Sequence, residues 1–293
     1  MRALRVTAAA LVLCGFSRIS PPARAQGGLV QVTALVTVMA EKGEPVTNLT
    51  AADFIVRDDG TQRVVTKADA ASQVPLYVTI LLDVAKPPMG VIPPIRDMRM
   101  SLANFVAAIR AANPGAQISF VEVSGAPLPR VAFDAKEGEL DEAIGRVVSG
   151  QTSDAAVLEG IAEAARVLKN TPTIRRAIVS IDFSSPESGA DRAGRVAVEE
   201  VLAANASFWA VTIRDSKATT SRREPGLTAA ASMSGGARLT GVSATGLDAM
   251  LKKIAHSLSS QYLVTFSRPG GVIREITVET AKGHKAMAGV LLR

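Results

Sequence analysis

The run Leu76-Tyr77-Val78-Thr79-Ile80-Leu81-Leu82-Asp83 is apolar at odd and even positions alike and ends on a carboxylate. Only a strand covered on both faces carries that pattern, so it predicts a central strand of a parallel sheet with helices on each side. Ala177–Asp182 and Ser207–Ile213 repeat the texture. Between these runs the period changes from two to three or four. Ile95, Met98, Leu102, Phe105 and Ile109 make one helix face, and Val157, Ile161, Ala164 and Leu168 make another. Leu247, Leu251, Ile254 and Leu258 mark a third. Gln117–Val123 reads as a strand, Val131-Ala132-Phe133 as a short edge strand and Ala237–Gly241 as another short strand. Asp134 with Glu137, Ser188 with Asp191 and Thr245 with Asp248 read as helix caps. Asp215–Gly226 is polar and reads as a loop.

The flanks have a different texture. Residues 30–38 alternate, Asp59-Gly60 signals a hairpin, and Thr61–Thr66 is its return strand. Gln261–Ser267, Ile273–Thr280 and Ala288–Leu292 are strand candidates at the other end. Neither flank has enough strands to bury a core alone, so the two are expected to pair. The organisation expected is a leader over 1–25, an N-terminal β section over 26–72, an α/β domain over 73–260 and a C-terminal β section over 261–293. The fold class is α/β, with a doubly wound, mainly parallel central sheet and a small β unit built from both flanks.

The leader reading rests on Arg2 and Arg5, the short apolar run Val6–Phe16 and the small-x-small site Ala23-Arg24-Ala25. That is a secretory signal, too short to span a membrane comfortably. Its removal changes the charge balance. The 33 lysines and arginines lose Arg2, Arg5, Arg18 and Arg24 and fall to 29, against an unchanged 27 acids. The remaining charge gives no argument for nucleic acid. Cys14, the one cysteine, leaves with the leader, so no disulfide or thiol chemistry is expected. A secreted or periplasmic protein with no integral membrane segment after cleavage is expected.

Three motifs then occur in a telling order: the strand ending at Asp83, the Gly150-Gln151-Thr152 loop before a helix, and Arg176-Ala177-Ile178-Val179-Ser180-Ile181-Asp182. In that order they resemble a von Willebrand factor type A domain. Val46-Thr47-Asn48-Leu49-Thr50, Asp53-Phe54, Asp58-Asp59-Gly60 and Gln261-Tyr262-Leu263-Val264 extend the resemblance to secreted bacterial, acidobacterial-type "VWFA-related" proteins. The resemblance implies a metal-ion-dependent adhesion site, with Asp-x-Ser-x-Ser, a Thr and a second Asp holding a divalent cation through hard oxygens. Asp83 matches the first Asp, Thr152 the Thr and Asp182 the second Asp, with Phe183 in its place if the register is one residue off. Ala85 and Pro87 stand where the two serines belong, and neither has a side-chain oxygen. The site is therefore expected to be degenerate, with no cofactor beyond weak Mg2+ or Mn2+ binding. Asp83, Ala85, Lys86, Pro87, Thr152, Ser153 and Asp182 form the expected crevice.

Each of these residues also has a structural reading. Asp83 could cap a helix or bind loop amides, Thr152 or Ser153 could be an N-cap, and Asp182 could be a hydrogen-bond acceptor. Lys86 either turns inward to pair with Asp83 or Asp182, or points to solvent. His256 and His284 fall in different sections. No nucleophile elbow, phosphate loop, dinucleotide fingerprint or zinc-protease motif occurs. Aromatic residues make up 4%, too few for base or sugar stacking platforms. The expected function is a secreted, non-enzymatic protein-interaction domain with a protein partner. The rival is an enzyme or small-molecule binder using the same crevice.

Overall fold

The computed structural model describes residues 28–41, 44–86, 95–150, 152, 154–214, 221–273 and 275–292. The leader, Pro87 and Ser153 lie outside the described residues. The N-terminal flank forms β1 (Leu29–Met39), β2 (Phe54–Asp58), β3 (Thr61–Arg63) and β4 (Val65–Ala70). The central section follows as β5 (Leu76–Asp83), α1 (Ile95–Ala112), β6 (Gln117–Val123), β7 (Pro127–Val131), α2 (Glu139–Arg146) and α3 (Val157–Lys169). It continues with β8 (Arg175–Asp182), α4 (Ala190–Ala203), β9 (Ala206–Ile213), α5 (Glu224–Met233), β10 (Arg238–Gly241) and α6 (Leu247–Ser259). The C-terminal flank adds β11 (Tyr262–Pro269), β12 (Ile276–Thr280) and β13 (Lys285–Leu292).

The central sheet has the order β10-β9-β8-β5-β6-β7. All its pairs are parallel except β6 with β7 at one edge. The apolar run of β5 lies between β8 and β6, where both faces are covered. From β5 the chain first moves outward to β6 and β7, then crosses back to β8 and proceeds the other way. That reversal is the topological switch point of a doubly wound sheet, and the crevice opens at the carboxyl ends of β5 and β8. The fold class read from the sequence is the one found.

Two cores follow from the two faces. On one, Leu102, Phe105 and Ile109 of α1 and Leu251, Ile254 and Leu258 of α6 pack on Val78, Ile80, Val179 and Trp209. On the other, α3, α4 and α5 cover Leu81, Ile178 and Phe208. Each large apolar side chain fully buried in this way contributes about 1.5–3 kcal/mol. Gly160 lets α3 lie close to the sheet, because a Cβ there would stand 2.8 Å from Leu81 Cδ1.

Several local expectations are corrected. Asp134 and Glu137 do not open a helix: α2 starts at Glu139 behind Gly138, which has φ 90°. Likewise α4 starts behind Gly189, at φ 69°, rather than on a Ser188 cap. Left-handed glycines turn the chain at both points, a job no L-residue does cheaply. The helix α3 begins after Ala156, so Thr152 is not its N-cap. The edge strand lies at Pro127–Val131, just before the segment expected, where two prolines are tolerated because an edge leaves N–H positions unpaired. The helix α5 occupies the end of the segment read as a loop. Pro225 sits in its first turn, where the missing N–H costs nothing.

The flanks form one β unit. A sheet of order β13-β1-β11-β4 faces a smaller one of order β12-β2-β3. Val36, Val38, Val56 and Phe266 fill the space between them. Phe54 and Tyr262 meet edge-on with ring centroids 5.5 Å apart. The Tyr262 hydroxyl accepts the Leu49 N–H and donates to the Val46 carbonyl, both at 3.1 Å, which pins the leader of β2 to β11. Asp59 and Gly60 both have positive φ, 48° and 76°, as a two-residue hairpin turn requires.

Arg175 joins the two parts. It is 1% exposed. Its guanidinium donates to Gln261 Oε1 at 3.2 Å, Asn113 Oδ1 at 2.9 Å, the carbonyls of Ala71 at 3.1 Å and Val74 at 3.2 Å, and the Leu258 carbonyl. These acceptors belong to both connections between the domains and to the ends of α1 and α6. Burial lowers its pKa to about 10, so it stays charged at neutral pH. A second contact is made by backbone alone. Gly235, with φ 75°, lies against Gly289 of β13 so closely that a Cβ on either would collide with the other strand of chain.

Arg175→Met is expected to leave several buried carbonyls without donors and to lower stability by about 3 kcal/mol or more. Arg175→Lys should recover little, since three donors cannot reach five acceptors. Urea unfolding of the three proteins measures this; a Lys variant as stable as the parent would count against the role.

Candidate functional site

The switch point brings Asp83 and Asp182 to the floor of the crevice on the same face of the sheet. Asp83 Oδ1 accepts the Ala85 N–H at 3.0 Å, and Oδ2 accepts the Phe183 N–H at 3.4 Å. Asp182 Oδ1 accepts the Ser184 N–H at 2.7 Å. Ser184 is held at φ 58°, an unusual conformation for a residue with a side chain, and its hydroxyl donates to the Ile213 carbonyl at 3.3 Å. These bonds fold the loops after β5 and β8 back onto their own carboxylates.

A third element completes the floor. Arg223, the residue before α5, places Nη2 3.0 Å from Asp83 Oδ2 and in contact with Asp182 Oδ1. Its Nη1 lies 3.1 Å from Glu187 Oε2. The other Glu187 oxygen accepts the Leu158 N–H at 2.9 Å, in the first turn of α3, where a carboxylate is favoured by the helix dipole. The Arg223 side chain is 0% exposed, and those of Asp83, Asp182 and Glu187 are 0%, 1% and 3%. One cation is thus buried with three carboxylates.

The approach of α5 that inserts Arg223 depends on two glycines. Gly226 of α5 crosses Gly194 of α4, and a Cβ on Gly226 would stand 2.9 Å from Gly194 Cα. Small residues let the two helices close, and closure carries Arg223 over the carboxylates.

The electrostatics follow from burial. Desolvation pushes the Asp83 carboxyl up to about 6; Arg223 opposes this and Asp182 adds to it. Burial also raises Glu187, again against the pull of Arg223. For Arg223, burial favours the neutral form, but Asp182, Asp83 and Glu187 together outweigh it and hold the guanidinium charged.

The sequence-derived residues are distributed as follows. Asp83 and Asp182 share one guanidinium, and Phe183 turns away into the core under α1 and α6. Ala85 is buried, with its N–H spent on Asp83. Lys86 is exposed, and its backbone N–H donates to the Thr152 carbonyl at 2.7 Å. Of the two readings of Lys86 the solvent-facing one is found: the cation facing both aspartates is Arg223, and Lys86 leaves the crevice on the outward side of its loop. Thr152 is exposed beside Lys86. Among the described residues Asp83 caps no helix; the loop-amide reading describes it, with the ion pair added. Sequence reasoning missed Arg223 and Glu187. The signal for Arg223 was Pro225, a helix-start residue two places further on.

Mg2+ at this position would need an octahedron of oxygens. Ala85 contributes none, and the guanidinium already lies on both carboxylates. The residues present do not fit the metal that the resemblance implies. Among the described residues, no group of three or more His, Cys, Asp or Glu side chains is placed to hold a metal ion.

Two outcomes are expected. Arg223→Met should cost about 3–5 kcal/mol in urea unfolding, since it strands three buried carboxylates. Part of the pH response comes from Asp83. Its folded pKa, about 6, lies above the unfolded value of 3.8, so the folded state holds the proton more tightly between those values. Stability from this group is fully present below pH 3.8 and is lost as pH rises through about 6. Asp83→Asn should show a shallower decline when unfolding is followed from pH 4 to 7, the remainder coming from Glu187, which burial raises in the same direction. A variant with the parent's slope would refute the assignment.

No family model matches the chain, and no curated protein matches it. Solved structures do. The SpRpn10 VWA domain is 16% identical, with a TM-score of 0.48, over 61% of this chain and 94% of that one. The conserved hypothetical protein BatB from Bacteroides thetaiotaomicron is 16% identical, with a TM-score of 0.45, over 63% and 100%. Proximal thread matrix protein 1 from the mussel byssus, with a zinc-occupied MIDAS motif, is 13% identical, with a TM-score of 0.48, over 69% and 49%. Strand order, the reversal at β5 and the two motif aspartates at the carboxyl ends of β5 and β8 agree with the doubly wound α/β fold that the resemblance to a von Willebrand factor type A domain implies.

Proposed function

We propose that this protein is an exported, non-enzymatic interaction domain that engages a protein partner at the carboxyl end of its central sheet without a metal ion. The observation that carries the reading is the buried Arg223, ion-paired to Asp83, Asp182 and Glu187. In a metal-loaded site the ion draws a carboxylate from the partner. Here the positive charge is internal and spent on internal acids, so recognition falls to the loops above it.

The same burial argues against the enzyme reading. The carboxylates that acid–base chemistry would need have no access to solvent, and each is held in charge-assisted hydrogen bonds. His256 is exposed on α6, while His284 sits in the turn between β12 and β13. Export rests on the signal-like residues 1–25. No helix among the described residues is long and apolar enough to cross a membrane.

Calorimetric titration with Mg2+ and Mn2+ tests the metal-free reading. No saturable binding in the micromolar range is expected, and a micromolar dissociation constant would overturn it. Capture of envelope proteins on the immobilised parent should be unchanged by EDTA; a partner lost in EDTA and restored by Mg2+ would sink the proposal.

A further inference from the structure

A second concave site lies away from the crevice, towards the β7 edge of the sheet. On its face α3 packs against α4 on one side, and on the other it looks across to β7. The space between α3 and the β6–β7 edge is a cavity of about 360 Å3. Val121, Pro129, Val131, Phe133, Ala164 and Val167 supply its apolar lining. That volume is near the lower end of the roughly 300–1,000 Å3 of ligand pockets, room for one ring with a short arm and too little for a dinucleotide.

The polar groups are few and placed at opposite ends. At the floor, Thr79 and Ser119 are both buried, and their hydroxyls share one hydrogen bond of 2.8 Å. Two hydroxyls carry two hydrogens, and the shared bond uses one. No other side-chain hydrogen bond of either residue occurs among the described residues, so the second hydrogen is left to donate into the cavity. At the mouth stand Glu163 and Asp134, both exposed carboxylates. A donor within and two negative charges outside define a ligand with an acceptor at its inner end and a cation at its outer end.

We propose that this cavity binds a small amphipathic amine. Its ring lies against Pro129 and Phe133, an ether or carbonyl oxygen accepts from the Thr79–Ser119 pair, and its ammonium sits between Glu163 and Asp134. The proposal does not depend on the crevice or on the metal-free reading.

The probe is 4-methoxyphenethylamine, with 3-(4-methoxyphenyl)propionate as the same body carrying the opposite charge. Calorimetry on the full chain should show saturable one-to-one binding of the amine, and binding of the acid weaker by about tenfold or more. Asp134→Asn with Glu163→Gln should weaken the amine about fivefold, the scale of exposed charge pairs. Val167→Trp, at a half-exposed position, should close the cavity and abolish binding while leaving the thermal unfolding midpoint close to the parent's. Ala164→Leu is the second blocking variant, filling the cavity from within. No saturable amine binding, equal binding of the acid, or binding that persists in a folded blocking variant would each overturn the proposal.

Discussion

The guanidinium of Arg223 against three buried carboxylates is the constraint on which the crevice depends. The switch point of the sheet places Asp83 and Asp182 together whatever the surrounding loops do. Two carboxylates that share one guanidinium nitrogen in a desolvated site would repel each other without that cation. The resemblance implies that a metal ion supplies that cation. This chain supplies it covalently, from the start of α5. The substitution changes what the crevice can do. A metal can share its coordination sphere with a visitor, whereas a guanidinium enclosed by its own acids has little charge left to offer. Such a buried cluster is also a poor source of net stability, because desolvation of the ions offsets their attraction. Its effect is on geometry: it fixes how the loops after β5 and β8 and the start of α5 meet.

A similar logic operates at the opposite end of the domain. Arg175 is a buried cation with no carboxylate partner among the described residues, surrounded by carbonyl and amide oxygens. Several come from chain ends that no regular ladder satisfies, including the last turn of α6. One side chain thus answers the hydrogen-bonding needs of both interdomain connections. Arginine suits the place because its five donors lie in a rigid plane and its charge survives burial.

Much of this architecture could be read from the residues. The strands β5, β8 and β9 are apolar on both faces, which only central strands can be. The pairing of the flanks followed from the shortage of strands at either end. The site was legible only in part. Asp83 and Asp182 stood out because each ends an apolar strand. Arg223 did not, because it lies 140 residues from Asp83 and in a segment whose polar composition looks like a loop. Its helix has weak amphipathicity and opens on Pro225-Gly226, features that signal a turn until the contact with Gly194 is known. The helix starts at Gly138 and Gly189 were missed for a related reason. Ser, Asp and Glu advertise caps, but a left-handed glycine can do the turning without them.

The antiparallel register of β1 has a consequence for the order of events during synthesis. Both of its ladder partners, β11 and β13, come from Tyr262 onward. At about 5–20 residues per second, β1 waits roughly ten seconds or more for its first neighbour to be made. In that interval the central section can be completed, since all six strands of its sheet come from within it. Because Ala70 pairs with Tyr262, that section leaves and re-enters the β unit at neighbouring points, as an inserted domain does. The unit that begins the chain is therefore the last to close, and the long wait of an apolar strand with two free edges is where a stalled or truncated chain is exposed to wrong partners.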